Sequence, residues 1–227
     1  MLTPRQFNIA ITRRLREARD IEVVKREGWA HLGTTSRDAF ARRLKRHLGR
    51  PLSPVMLKRL TYPTNGRVYW RYPRGDVDLP RSEGFGGEIC LYNLGLSLME
   101  KDFSHIDYEE SPDLRFLEPY RILDEHPNVG DGQMTLVRLN DAGTDVELFF
   151  LSRWKAHPLA LSFEEYHWCQ TVTLGYANWQ LMFCPDLPSS DRRAMRTCFR
   201  TEMARNLNKV WPDTDLGELF ALADRGR

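Results

Sequence analysis

The chain has 227 residues, 41% apolar and 28% charged, a balance that excludes an intrinsically disordered chain and is long enough for a full hydrophobic core. No apolar run approaches the roughly 20 residues that span a bilayer, and the start MLTPRQFNIAITRR lacks a secretory signal pattern, so a cytoplasmic protein without membrane contact is expected. The net charge of +2 hides a segregation: residues 1–60 carry 15 Lys/Arg against 5 Asp/Glu, residues 61–150 carry 8 against 17, and the remainder 10 against 9.

Thr3-Pro4 reads as a cap followed by proline in the first helical turn, and Phe7, Ile11 and Leu15 recur behind it, which predicts a helix to about Asp20 or further. Arg13, Arg14, Arg16 and Arg19 then line its outer side. After the Gly28 to Gly33 break, Thr35 or Ser36 caps a second helix with a narrow stripe of Phe40, Leu44 and Leu48 amid Arg42, Arg43, Lys45, Arg46 and His47; Gly49 and Pro51 end it. Clustered cations invite a nucleic-acid reading through Arg13, Arg16, Arg42, Arg43, Lys45 and Arg46. The same cations could instead pack on the acidic middle of this chain or of a second copy.

Leu52 to Leu60 predicts a short helix started by Pro54, and Pro63 with Asn65-Gly66 a sharp turn. Arg67 to Tyr72 and Glu88 to Tyr92 read as strands, separated by a turn-rich stretch, Pro73 to Gly87. Gly84, Gly86 and Gly87 are not a phosphate loop, since no Lys-Ser/Thr follows and the chain enters a strand. From Leu94 onward apolar and acidic residues mix, giving either a solvated surface or an anionic patch made of Asp102, Asp107, Glu109, Glu110, Asp113, Glu118, Asp124 and Glu125. Asn128 to Gly132 is a tight turn leading into a hairpin, Gln133 to Leu139 and Val146 to Leu151, joined at Asn140 to Gly143.

His157 to Gln180 carries the most concentrated signals. Leu159 to Leu161 is an extended approach, and Ser162 with Glu165 three residues on is a capping-box pair. In the helix that follows, Phe163, Tyr166 and Cys169 or Gln170 face a core while Glu164 and His167 stay wet, and Gly175 ends it. Ser189 or Ser190 caps a last long helix with Met195, Cys198, Phe199, Met203 and Leu207 as its apolar stripe and Arg192, Arg196 and Arg200 on another side; Leu216 to Ala223 is a final short helix.

Cys90, Cys169, Cys184 and Cys198 form no CxxC pair and read as buried free thiols. The six histidines show no HExxH spacing, and no GxSxG elbow occurs, so no catalytic residue, metal or cofactor is expected.

Leu52 to Gly66, Tyr69-Trp70, Gly130-Asp-Gly132, Leu161 to Tyr166, Gly175-Tyr176 and Trp179-Gln180, in that order, resemble the SUKH superfamily of bacterial immunity-type domains over roughly residues 50–183. The resemblance implies an α+β fold with a mixed or mainly antiparallel sheet flanked by helices. Residues 1–49 would then be a basic helical extension, 50–184 the core, and 185–227 a helical extension packed on it. It also implies a protein that neutralises a cognate toxin, such as a nuclease or deaminase, by occlusion rather than catalysis. Such toxins have basic clefts, which suits the acidic segment as the contact surface. The alternative is a nucleic-acid-associated regulator using the basic N-terminal helices.

Overall fold

Seven strands form one antiparallel sheet in which every strand pairs with its neighbour in sequence: β1 (Glu22–Glu27), β2 (Gly66–Tyr72), β3 (Phe85–Leu91), β4 (Arg121–Glu125), β5 (Met134–Leu139), β6 (Val146–Ser152) and β7 (Lys155–Pro158), with β-branched and aromatic residues concentrated in β2 and β6. The structure, a computed structural model, describes residues 4–27, 37–49, 51–60, 66–72, 84–100, 103, 109–128, 132–212 and 214–225. Among these the helices are α1 (Pro4–Glu17), α2 (Arg37–Leu48), α3 (Pro54–Arg59), α4 (Leu94–Glu100), α5 (Phe163–Thr173), α6 (Ser189–Cys198), α7 (Ala204–Val210) and α8 (Gly217–Arg225). The fold is therefore α+β with an antiparallel sheet.

Strand alternation sorts the core into two layers. Val137, Leu148 and Phe150 point into the main core with the helices, whereas Leu136, Phe149 and Leu151 point to the other face and join Ile122, Phe103 and Leu117. That second face is covered by a 3-10 turn, Pro112–Leu117. Phe7 and Ile11 of α1, Leu44 of α2, and Leu207, Val210 and Leu219 of the C-terminal helices are all fully buried in the main core. Packing thus merges the two expected extensions with residues 50–184. A large part of the main core's stability would be lost without them.

Several expected elements changed. Helix α1 stops at Glu17, and Asp20 takes a left-handed conformation (φ 55°) that turns the chain into β1, an edge strand the helical reading ran through. Residues 85–87 extend β3 into the stretch expected to be turns, pairing with Trp70 to Tyr72. β4 lies within the expected acidic surface, and β7 precedes the extended approach. The Thr35 and Ser36 cap, the turn at Asn65, residues 73–83 and the Asp131 turn lie outside the described residues.

The helix at the centre of the chain forms as its caps require. Ser162 Oγ accepts from Glu165 N–H and Glu165 reaches back to Ser162 N–H at 2.8 Å. Leu174 and Gly175 then both adopt positive φ, 49° and 68°, and reverse the chain onto β3. There Glu88 N–H donates to Gly175 O at 2.8 Å and Ala177 N–H to Gly86 O at 3.2 Å. This stitch fills a split in the sheet, since β3 and β4 pair only at Leu91 and Asp124. Trp70, fully buried, locks it by donating from Nε1 to Leu174 O at 2.8 Å.

Candidate functional site

Two places concentrate polar chemistry: the interior of the split sheet and the outer edge of its second face. In the split, a bulge after Ile122 puts Leu123 opposite no partner and turns Asp124 to face Thr135 on the helical side of the sheet. Asp124 is fully buried and accepts from Cys90 N–H at 2.8 Å, Tyr166 O–H at 2.7 Å and Gln170 Nε2 at 2.5 Å. Beside it, Glu88 is equally buried and takes Arg67 at 3.0 Å together with the backbone and side-chain N–H groups of Asn128 at 2.7 and 2.5 Å. These donors compensate the desolvation of two carboxylates, so the cluster reads as a structural pin for the split.

His126 sits 3.3 Å from Asp124. Burial alone would lower its pKa, but the charge and hydrogen bond of Asp124, with Glu88 behind, outweigh burial and raise it. Its Nε2 lies 3.0 Å from Gln180 Nε2, while Gln180 Oε1 has no hydrogen-bond partner among the described residues. Turning that amide over lets a protonated His126 donate to Oε1.

His167 was expected on the wet side of α5 and is instead 1% exposed. The reason is that α5 is covered on both sides: α1 packs against it, and the Phe7 ring meets the imidazole edge-on at 5.6 Å. Nδ1–H donates to Phe163 O at 2.7 Å, which favours the charged ring, but burial outweighs it and holds the pKa down to about 4. A group depressed in the folded state stabilises above its unfolded pKa of 6.5 and loses that stabilisation as pH falls toward 4. Between pH 6.5 and 5, above the carboxylate range, the stability by urea unfolding should therefore fall by about 2 kcal/mol. A His167→Gln variant should flatten that limb; an identical slope in the variant would rule the assignment out. Glu164, also expected wet, is half-buried and held by Arg59 through two bonds at 3.1 and 3.0 Å; burial opposes its ionisation, but Arg59 outweighs it and lowers the pKa.

On the second face, the turn Pro112–Leu117 is anchored by Leu117, which is 1% exposed, and by the half-buried Leu114 in the second core. This leaves Glu109, Glu110, Asp113 and Glu118 exposed, with Phe116 among them at 36% exposure. Arg121 is engaged beneath them, donating to Glu118 O at 3.0 Å and Tyr120 O at 2.7 Å. Arg138 pairs with Glu147 at 2.6 Å and lies over the Phe149 ring. The result is an exposed acidic stretch, here called the ledge, with Phe116 within it in sequence and Arg115 as the exposed cation of the turn.

Four of the eight expected acidic contact residues, Glu109, Glu110, Asp113 and Glu118, share this ledge. Asp124 is withdrawn from the set, because the bulge buries it in the split. Glu125 is half-buried and accepts from Tyr92 O–H at 2.8 Å. Asp102 and Asp107 lie outside the described residues. Of the basic set, Arg13 pairs with Glu17 at 3.2 Å and Arg43 with Glu100 at 2.7 Å, while Arg16, Arg42, Lys45 and Arg46 are exposed. The two helices pack on different elements, α1 on α5 and α2 on α4. Arg14 does not line an outer side: it lies over the Trp211 ring at 4.9 Å and donates to Val172 O and Thr214 Oγ1. Cys198 is exposed rather than buried.

The buried cluster escaped the sequence reading, although Glu88 inside an otherwise apolar strand and Asp124 directly after Ile122-Leu123 were signals of it. Among the described residues no three His, Cys, Asp or Glu converge as metal ligands, and no helix is long and apolar enough to cross a membrane. No family model matches the chain, and neither a curated protein nor a solved structure is similar to it.

Proposed function

We propose that this chain is an immunity-type interaction protein, SUKH-like, that neutralises a toxin with a basic cleft by covering it. The observation that carries this reading is the ledge: Glu109, Glu110, Asp113 and Glu118 exposed around Phe116 on a turn pinned by Leu117. A partly exposed aromatic with exposed carboxylates on either side of it along the chain supplies both halves of a specific contact, an apolar anchor for affinity and a field for steering. A nuclease or deaminase that grips polyanions presents the complementary surface.

The test is co-expression with the toxin encoded by the adjacent gene, followed by co-purification and a growth-rescue assay. Reversing Glu109, Glu110 and Asp113 to lysine should slow association by about tenfold and flatten its salt dependence, with little change in dissociation. Phe116→Ala should instead act on dissociation, weakening the complex by about 2 kcal/mol. Unchanged kinetics in both variants would move the contact elsewhere, and no complex with the neighbouring product would remove the immunity reading. The alternative, a nucleic-acid-associated regulator, draws on the exposed Arg16, Arg42, Lys45 and Arg46 and predicts binding that falls steeply with salt.

A further inference from the structure

The last long helix carries a second charged feature, opposite in sign to the ledge. α6 runs through a π turn, Phe199–Met203, into α7, and π turns inside α-helices recur at functional sites. Arg192, Arg196 and Arg200 fall at four-residue spacing along it, and with Arg193 they line a groove of about 480 Å³ in which Asp224 is the one carboxylate among the described residues. Like charges on successive turns repel, so the alignment costs stability unless something neutralises it.

The groove is also pre-shaped. Asp224 holds Arg200 at 2.5 Å and lies 4.0 Å from Arg196, and the Arg200 guanidinium is placed over the Phe220 ring. The Nε atoms of Arg192 and Arg196 are shielded from solvent and have no hydrogen-bond partner among the described residues. Ser189, at the start of α6, lines the same groove, and the residue before it, Pro188, provides no side-chain cap. Its first N–H groups add to the positive potential at that end. From Arg192 to Arg200 the aligned arginines span about 12 Å, eight residues of helix. That length suits a compact anion better than a long polymer.

We propose that this groove binds the linked phosphates of a di- or triphosphate, with Arg192, Arg193 and Arg196 clamping the phosphoryl oxygens and Asp224 keeping Arg200 in place. Guanidinium forks match phosphate oxygens bidentately, which lysines do not. The site is independent of the acidic ledge.

Calorimetric titration of the full chain with sodium pyrophosphate and, separately, with a nucleoside triphosphate tests this. Sub-millimolar binding of both assigns recognition to the phosphates, and binding of the nucleotide alone assigns it to a phosphate and base together; each supports the site. Arg192→Gln removes one clamp, and Thr197→Asp sets a carboxylate on the groove wall while keeping every arginine. Each should weaken binding at least about tenfold. Thermal melts without ligand verify that both variants stay folded. No binding of either ligand at millimolar concentration would overturn the proposal. Undiminished affinity in both folded variants would overturn it as well, and so would tighter binding of a single-stranded oligonucleotide than of the nucleoside triphosphate.

Discussion

Gly175→Ala is expected to be among the most damaging single substitutions in the chain, costing about 4 kcal/mol in urea or thermal unfolding. A Cβ at this position would lie 2.1 Å from Glu88 O and 2.6 Å from Glu88 C, backbone atoms of β3 that cannot swing aside. The φ of 68° adds strain of about 1 kcal/mol for any L side chain. Relief requires moving the turn off the strand, which breaks the Glu88 to Gly175 hydrogen bond and loosens the bond from Trp70 to Leu174. Gly49 provides the control, because it has nearly the same φ, 67°, but nothing within 4 Å of a Cβ. Gly49→Ala should cost only about 1 kcal/mol. Equal losses at the two positions would show that backbone conformation, and not the stitch to β3, governs Gly175.

Asp124→Ala should cost a similar amount, about 4 kcal/mol, through a different mechanism. It removes the acceptor shared by Cys90 N–H, Tyr166 O–H and Gln170 Nε2, and leaves the raised-pKa His126 without its counter-charge. Unmet buried donors carry their full desolvation penalty. Asp124→Asn keeps the volume and one acceptor oxygen, yet turns an amide donor toward other donors, so about half the loss is expected. The His126 contribution has a sign of its own. A raised folded pKa stabilises below 6.5 and fades as pH climbs through the folded value. The deficit of Asp124→Ala relative to the native chain, followed by unfolding from pH 6 upward, should therefore shrink with rising pH; a deficit that grows would refute the pairing.

Much of the local structure was legible. Ser162 and Glu165 close the capping box that their spacing implies, Pro54 starts α3 as expected, and Asn140 to Gly143 turns β5 into β6. These features rest on contacts within a few residues, so the sequence window that encodes them also contains their partners. The ledge was legible in the same way, as a run of carboxylates. Its aromatic centre was not, because Phe116 differs from Leu117 only in which of them the turn presses into the second core.

The failures share one cause. Asp124 looked like a further member of an acidic run, and His167 like the polar face of an amphipathic helix, because charge counts and periodicity assume that one side of each element meets water. Asp124 is buried by a one-residue bulge and by Tyr166, 42 positions away; His167 is buried by α1, whose Phe7 lies 160 positions away. Arg14, apparently one of four outward arginines, is claimed by Trp211 near the other end of the chain.

By itself, then, the sequence determined most of the helices, four of the seven strands and the segregation of charge, while the α+β class came with the family resemblance. Backbone hydrogen bonding, capping and side-chain period are local in origin and act over one or two turns. Only the tertiary structure decided which polar groups lie inside, which arginines are committed and which converge on an open groove, and that the two ends of the chain share one core. Those outcomes depend on burial against partners far away in sequence, and desolvation, unlike helical period, is a property of the whole assembled chain.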